Sequence, residues 1–159
     1  MRIAAVSDTH GYIDEILNEL KRQDLDMILF AGDHYRDGLK LGRKLKLPCH
    51  AVAGNCDKSE VSAPENQWLI IEGQRIWLLH GHRYQVKQGL NTLWYAASEK
   101  AADIVVFGHT HWPYCEEQEG IWLVNPGAAG LFVRAGERPS WANIEIEKEK
   151  VKAEIVRLS

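Results

Sequence analysis

The chain reads as an α/β protein with a two-layered sheet core flanked by helices. Short runs such as Ile3–Val6 and Met27–Ala31 are apolar on nearly every residue, the pattern of strands buried on both faces. Segments with helical spacing separate them, which indicates βαβ units and parallel pairing. Each run also ends at or near a residue able to bind a metal, so the strand ends are expected to meet along one rim.

Arg2–Val6 is the first predicted strand. Ile13, Ile16, Leu17 and Leu20 then fall on one helical face, with Asp14 and Glu15 in the first turn where the helix dipole favours acids. Met27–Ala31 is a second strand, Leu39–Leu45 a second helix stopped by Pro48, and Cys49–Ala53 a third strand. Trp68–Ile71 and Arg75–Leu79 flank Glu72-Gly73-Gln74 as a hairpin. Asn91–Ala102 is a helix and Ile104–Phe107 a strand. Tyr114–Glu117 and Ile121–Val124 form a hairpin around Glu119-Gly120. Trp141–Glu147 and Val151–Leu158 alternate apolar and charged residues around Lys148-Glu149-Lys150, as a half-exposed hairpin does. The late hairpins are expected to extend one sheet.

At 159 residues the chain is expected to be one domain, 1–159, long enough to bury roughly two-thirds of its unfolded surface. The formal charge of −3 supplies no basic field, so no general nucleic-acid surface is expected. A nucleotide-like substrate stays open, because bound cations bring their own positive charge. No apolar run approaches the roughly 18–20 residues of a membrane span, and Ser7 and Asp8 interrupt the first run too soon for a signal peptide. Cys49, Cys56 and Cys115 are odd in number and lack CxxC spacing, which argues against a disulfide framework. A cytoplasmic enzyme is the expectation.

Five clusters carry the chemistry: Asp8-Thr9-His10, Gly32-Asp33, Gly54-Asn55, His80-Gly81-His82 and Gly108-His109-Thr110-His111. Ligands one residue apart, as in Asp8/His10 and His109/His111, would point the same way from extended backbone. Glycines beside Asp33, Asn55, His80 and His109 fit tight turns in which backbone approaches a crowded site. Carboxylate, amide and imidazole suit Mn2+, Zn2+, Fe or Ni2+. Alone, each of these residues has a plainer use, as a turn, a cap or a hydrogen-bonded core histidine. Together, without a cation, they would carry large desolvation costs.

In this order the five clusters, with Cys56-Asp57 following Asn55, resemble the calcineurin-like metallophosphoesterases and, within them, the branch of small YfcE-type phosphodiesterases. The likeness spans nearly the whole chain. It implies a four-layer αββα sandwich of the metallophosphoesterase type, with two divalent metal ions at the carboxyl ends of the strands. Mn2+ is the foremost candidate, with Ni2+, Zn2+, Fe or Co2+ as alternatives. Carried over by position, Asp8, His10, Asp33 and His111 would hold one metal, and Asp33, Asn55, His80 and His109 the other, with Asp33 bridging. His82, two residues from His80, is the candidate proton donor or phosphate-oxygen contact. Catalytic parts therefore fall to His82, Asn55 and Asp33.

Cys56 stands where the superfamily's protein phosphatases carry histidine, which points to the phosphodiesterase branch. Asp37 does not match the phosphatase spacing and receives no catalytic role. Asn125-Pro126-Gly127 matches a late loop of the family with Ala128 in place of serine, and is expected to be architectural. Two cations about 3.5–4 Å apart would clamp substrate oxygens and acidify a bridging water, whose hydroxide attacks phosphorus. The activity implied is metal-dependent hydrolysis of a small phosphodiester. The alternatives are a phosphomonoesterase on the same centre, or a retromer-type scaffold without turnover. A homodimer is open, since small members of the family pair.

Overall fold

The computed structural model describes residues 1–159. Its elements, in order, are β1 (Arg2–Val6), α1 (Asp14–Leu20), β2 (Met27–Phe30), α2 (Tyr35–Leu45), β3 (Cys49–Ala51), β4 (Asn66–Ile71), β5 (Gln74–Leu79), α3 (Asn91–Glu99), β6 (Ile104–Val106), β7 (Tyr114–Gln118), β8 (Ile121–Asn125), β9 (Ser140–Glu147) and β10 (Lys150–Arg157). A single 3-10 turn, His82–Tyr84, follows β5.

Two five-stranded sheets result, ordered β10-β9-β1-β2-β3 and β4-β5-β6-β8-β7. β1, β2 and β3 are mutually parallel, as are β5, β6 and β8. The strand alternation explains why the central runs are apolar throughout. Ile3, Ala5, Leu29, Ile76, Leu78, Ile104 and Val106 face the layer between the sheets. Their neighbours Ala4, Val6, Ile28 and Phe30 turn outward onto α1 and α2. Trp77, Leu79, Val105 and Phe107 turn the other way, onto α3. Three apolar layers thus separate helix, sheet, sheet and helix, the four-layer sandwich expected.

The structure corrects two expectations. The late hairpins do not extend one sheet: β7-β8 completes the second sheet, whereas β9-β10 joins the first through antiparallel pairing of β9 with β1. Alternating charge marks both hairpins as half-exposed edges but carries no information about which sheet they join. The second helix also begins at Tyr35 rather than Leu39. Its buried face is Gly38, Leu41 and Gly42, so two of the three inward residues have no side chain to reveal the period. No helix is long and apolar enough to cross a membrane.

Those two glycines let α2 lie directly on the sheet. A Cβ added at Gly38 would come within 2.5 Å of the Phe30 ring, and one at Gly42 within 2.7 Å of the Cys49 Cβ. Alanine is normally preferred to glycine inside a helix by about 1 kcal/mol. Here overpacking, at roughly 1–3 kcal/mol, outweighs that gain. Gly38→Ala should therefore lower the midpoint of denaturant unfolding, and a raised midpoint would show that α2 can lift off the sheet without cost.

Candidate metal centre

The parallel strands of both sheets end on the same side of the molecule, and all five clusters lie in the loops that leave those ends. Asp8 and His10 follow β1, Asp33 follows β2, Asn55 lies beyond β3, His80 and His82 follow β5, and His109 and His111 follow β6. Hydrogen bonds across the gap between the sheets hold the loops together. His80 Nδ1 donates to the Ala31 carbonyl (2.7 Å) and the His109 amide donates to Asp8 Oδ2 (3.1 Å), while within the second sheet the Gly108 amide donates to the His80 carbonyl (3.0 Å).

The backbone here is not extended, which corrects the expectation drawn from the one-residue spacings. Asp8, His10, Asp33, His109 and His111 all have positive φ, between 47° and 71°. This left-handed region is costly for most residues and least so for Asn, Asp and their like. Left-handed residues on both sides of Thr9, and again of Thr110, curl each DxH or HxH segment so that both side chains reach one centre. The neighbouring glycines make room. A Cβ on Gly54 would sit 2.0 Å from Asp33 Oδ1, and one on Gly108 would sit 2.6 Å from Asp8 Oδ2.

Asp8, His10, Asp33 and His111 each offer one ligand atom, and these atoms lie within 4.8 Å of one another. With bonds of about 2.0–2.2 Å, ligands on opposite sides of one ion stand a little over 4 Å apart, so small movements suffice for the four to share a cation. Beside them, His80 Nε2 lies 3.3 Å from Asp33 Oδ2 and 3.0 Å from Asn55 Oδ1. The His109 ring stands 5.0 Å from that of His80, centroid to centroid. His80 thus touches both Asp33 and Asn55, and with His109 these residues adjoin the Asp8–His10–Asp33–His111 group.

The polar contacts of these residues fit a cation. Asp8 is wholly buried, and its Oδ2 accepts from the Ser7 hydroxyl (2.6 Å) as well as from His109. Its Oδ1 is buried with no hydrogen-bond partner. That orphaned oxygen faces His111 Nε2 at 3.2 Å, and His10 Nε2 lies 3.3 Å from the same nitrogen. A buried carboxylate oxygen left bare is costly, and a cation among these atoms would satisfy it. The histidines are aimed from behind. Nδ1 of His80 donates to Ala31 and Nδ1 of His111 donates to the Phe132 carbonyl (2.6 Å), which leaves each Nε2 lone pair directed at the centre.

Charge in the site is strongly coupled. Burial would raise the Asp33 carboxyl, but the His80 hydrogen bond and charge, the Cys56 amide and His10 hold it far below the usual range. Burial disfavours the His80 imidazolium, yet Asp33 and Asp8 outweigh it and raise its pKa. His111 is raised by its contact with Asp8 against the opposing effect of burial. Burial and the neighbouring His80 push His109 down to about 4. His10 is lowered too, mainly by burial.

Several residues outside the predicted set shape the centre. Asp37 has no part in the ligand group: its Oδ2 accepts from Thr9 Oγ1 (2.7 Å) and the Gly11 amide (2.8 Å), bracing the first loop. Asp57 caps α2 through the Tyr35 amide (2.9 Å) and braces Gly54 (2.8 Å). Asn125 donates to the Gly108 carbonyl and to Thr110 Oγ1, which makes its loop architectural as expected. Ser7 and the Ala31 and Phe132 carbonyls carried no signal, since the sequence does not say where backbone oxygens or an uncharged strand-end hydroxyl will point. The Cys56 thiol is pushed up to about 11, by burial first and then by Asp33, so it is not an anionic nucleophile at neutral pH.

Residues 1–149 match the calcineurin-like phosphoesterase superfamily domain, and the chain belongs to that superfamily. It is 33% identical over 163 residues to a probable metallophosphoesterase of Methanothermobacter thermautotrophicus, with 99% of this chain and 92% of that relative covered. It is 27% identical to the phosphodiesterase YfcE of Escherichia coli K12, covering 82% and 80% of the two chains. Among solved structures, Vps29 of Entamoeba histolytica complexed with Zn2+ superposes with a TM-score of 0.81 at 23% identity, over 99% of both chains, a likeness of fold.

A cation entering between Asp8, Asp33, His80 and His111 must displace protons from the two histidines whose pKa values are raised above 6.5. Affinity for a divalent ion is therefore expected to fall as pH drops through and below that range. Competition with a chromophoric chelator at pH 8 and pH 6 checks this, and equal affinity at the two values would show that neither imidazole is a ligand.

Proposed function

We propose that this member of the calcineurin-like phosphoesterase superfamily is a metal-dependent phosphodiesterase acting on small diesters at a dinuclear centre. One observation carries the reading above all: a bare, buried Asp8 oxygen set among histidines whose Nε2 atoms converge on it. Asp8, His10, Asp33 and His111 would hold one divalent ion, and Asp33, Asn55, His80 and His109 a second, with Mn2+ the first choice for both. When bound, such a pair supplies Lewis-acid charge to the phosphoryl oxygens and a water acidified towards neutral pH.

The chain's own residues then position and shield. Asp33 offers Oδ2 to both ligand groups, while its Oδ1 is fixed by the Cys56 amide (3.0 Å). Asn55 is neutral, so it contributes a ligand oxygen without adding negative charge. Two divalent ions with Asp8, Asp33 and one hydroxide total +1, which complements a monoanionic diester. A cavity of about 560 Å3 adjoins Asn55 and His82 and offers room for the ester groups.

His82 stands with its ring 5.4 Å from that of His80 and 6.0 Å from that of His109, and its Nδ1 is buried without a partner. Burial, and then the positive His80, lower its pKa. A neutral ring at pH 7 suits a hydrogen bond to a phosphate oxygen better than proton donation, and bound cations would depress the imidazolium further. The thiol of Cys56 stays protonated, so attack falls to water rather than to the protein. We place the enzyme in the cytoplasm.

His82→Ala should lower kcat roughly 10–100-fold, the effect of losing a hydrogen bond to a charged group, while both metals remain bound by elemental analysis. Loss of metal would make His82 a ligand. Asp33→Asn should reduce metal content at both sites, and unchanged content would remove Asp33 from the bridging position. The function is tested by stripping metal, restoring Mn2+, Ni2+, Co2+ or Zn2+ singly, and comparing bis(p-nitrophenyl) phosphate with p-nitrophenyl phosphate. Faster diester turnover is expected. Preference for the monoester would favour a phosphomonoesterase, and full metal occupancy without hydrolysis of either would favour a scaffold.

A further inference from the structure

A second cavity, of about 420 Å3, opens beside the last ligand loop, where Thr110 stands between His109 and His111. Its walls include Phe107, Trp112 and Tyr114, together with the cations Lys87 and Arg134, and no carboxylate lines it. That is unusual in a chain with 22 acidic residues against 19 basic ones. Neither Lys87 nor Arg134 makes an ion pair. The cavity beside Asn55 is different: Asp57, Glu60 and Glu65 line it, and its Arg83 is tied to Glu65 at 2.6 Å.

The aromatic walls of the second cavity are held in place. The Arg134 guanidinium lies 5.3 Å from the Trp112 ring centroid, and the Tyr114 hydroxyl donates to Glu116 (3.0 Å). Trp112 nevertheless remains 46% exposed, although an apolar ring of its size gains from being covered. Aromatic walls, two cations without an acidic partner and a wall shared with the ligand loop at Thr110 together describe a site for a planar ring carrying negative charge. Aromatic side chains stack nucleobases with little regard to their identity, and arginine and lysine contact phosphate oxygens.

We propose that this cavity seats the nucleoside end of a nucleotide substrate that carries a phosphate besides the scissile one. The base lies against Trp112 and Tyr114, the non-scissile phosphate meets Lys87 and Arg134, and the distal phosphorus reaches the metal centre past Thr110. The reaction remains a hydrolysis. The distal phosphorus is itself a diester centre: one water adds across its bond to the oxygen leading away from the nucleoside, its oxygen joining phosphorus and its proton going to the alcohol that departs. The inference rests on the phosphodiesterase reading and narrows it from small diesters in general to nucleotide esters.

Isothermal titration of the metal-loaded protein with α,β-methylene adenosine diphosphate tests it, because that probe presents both phosphorus atoms but offers neither an ester on the distal one nor a cleavable bridge between them. Lys87→Ala and Arg134→Ala should each weaken the probe about tenfold, and Trp112→Ala should weaken it by a similar factor. Adenosine, lacking phosphate, should bind the unsubstituted protein at least tenfold more weakly than the probe. Lys87, Arg134 and Trp112 are all exposed, so these replacements leave the core intact. Probe affinity unchanged by all three replacements, or equal affinity for adenosine and the probe, overturns the inference. Hydrolysis of bis(p-nitrophenyl) phosphate by the unsubstituted protein then still supports the phosphodiesterase reading, whereas its absence with every metal overturns that reading separately.

Discussion

The arrangement depends on keeping two carboxylates, Asp8 and Asp33, almost fully buried and close together at the rim where two sheets meet. Left to themselves such groups would take up protons or draw in water. Instead Asp8 is pinned through one oxygen by Ser7 and the His109 amide, and Asp33 through one oxygen by the Cys56 amide. In each case the second oxygen is left facing imidazoles. The sandwich supplies the rigidity this requires, because the loops that bear the ligands issue from strands packed on both faces and are cross-tied between the sheets.

The balance of charge follows from that constraint. Without cations, protons on His80 and His111 take over part of the compensation, which is why those two rings are raised while His10 and His109 are lowered. The four imidazoles are not equivalent, and the difference lies in what stands behind and beside them. His80 is buried against both carboxylates, whereas His109 has the positive His80 as its neighbour.

Much of this was legible in the chain. Apolar runs at Ile3–Val6, Met27–Ala31 and Ile104–Phe107 revealed the central strands because strands between two layers have no solvent face to encode. The ligand clusters were legible because Asp, Asn and His recur where those runs end. Other features left no trace. A hairpin's sheet depends on long-range register, so β9 beside β1 could not be read from Trp141–Glu147. The start of α2 was hidden because its inward face is largely glycine, and the left-handed backbone of Asp8 and His10 was hidden because a two-residue spacing suggests extension. Asp37 and Asp57 were visible as acids, but only packing shows that they hold loops.

The left-handed ligand loops bear on how such a protein can change over evolutionary time. Asparagine tolerates that conformation as well as aspartate does, so an Asp-to-Asn exchange at position 8 or 33 would remove a negative charge while leaving the loop its shape. The desolvation penalty would ease and the layers beneath would be untouched. Chemistry could therefore be lost in one step while the surface persisted, ready to be kept for what it touches rather than for what it cleaves. A fold built in this way lets an enzyme and a docking platform be near neighbours in sequence space.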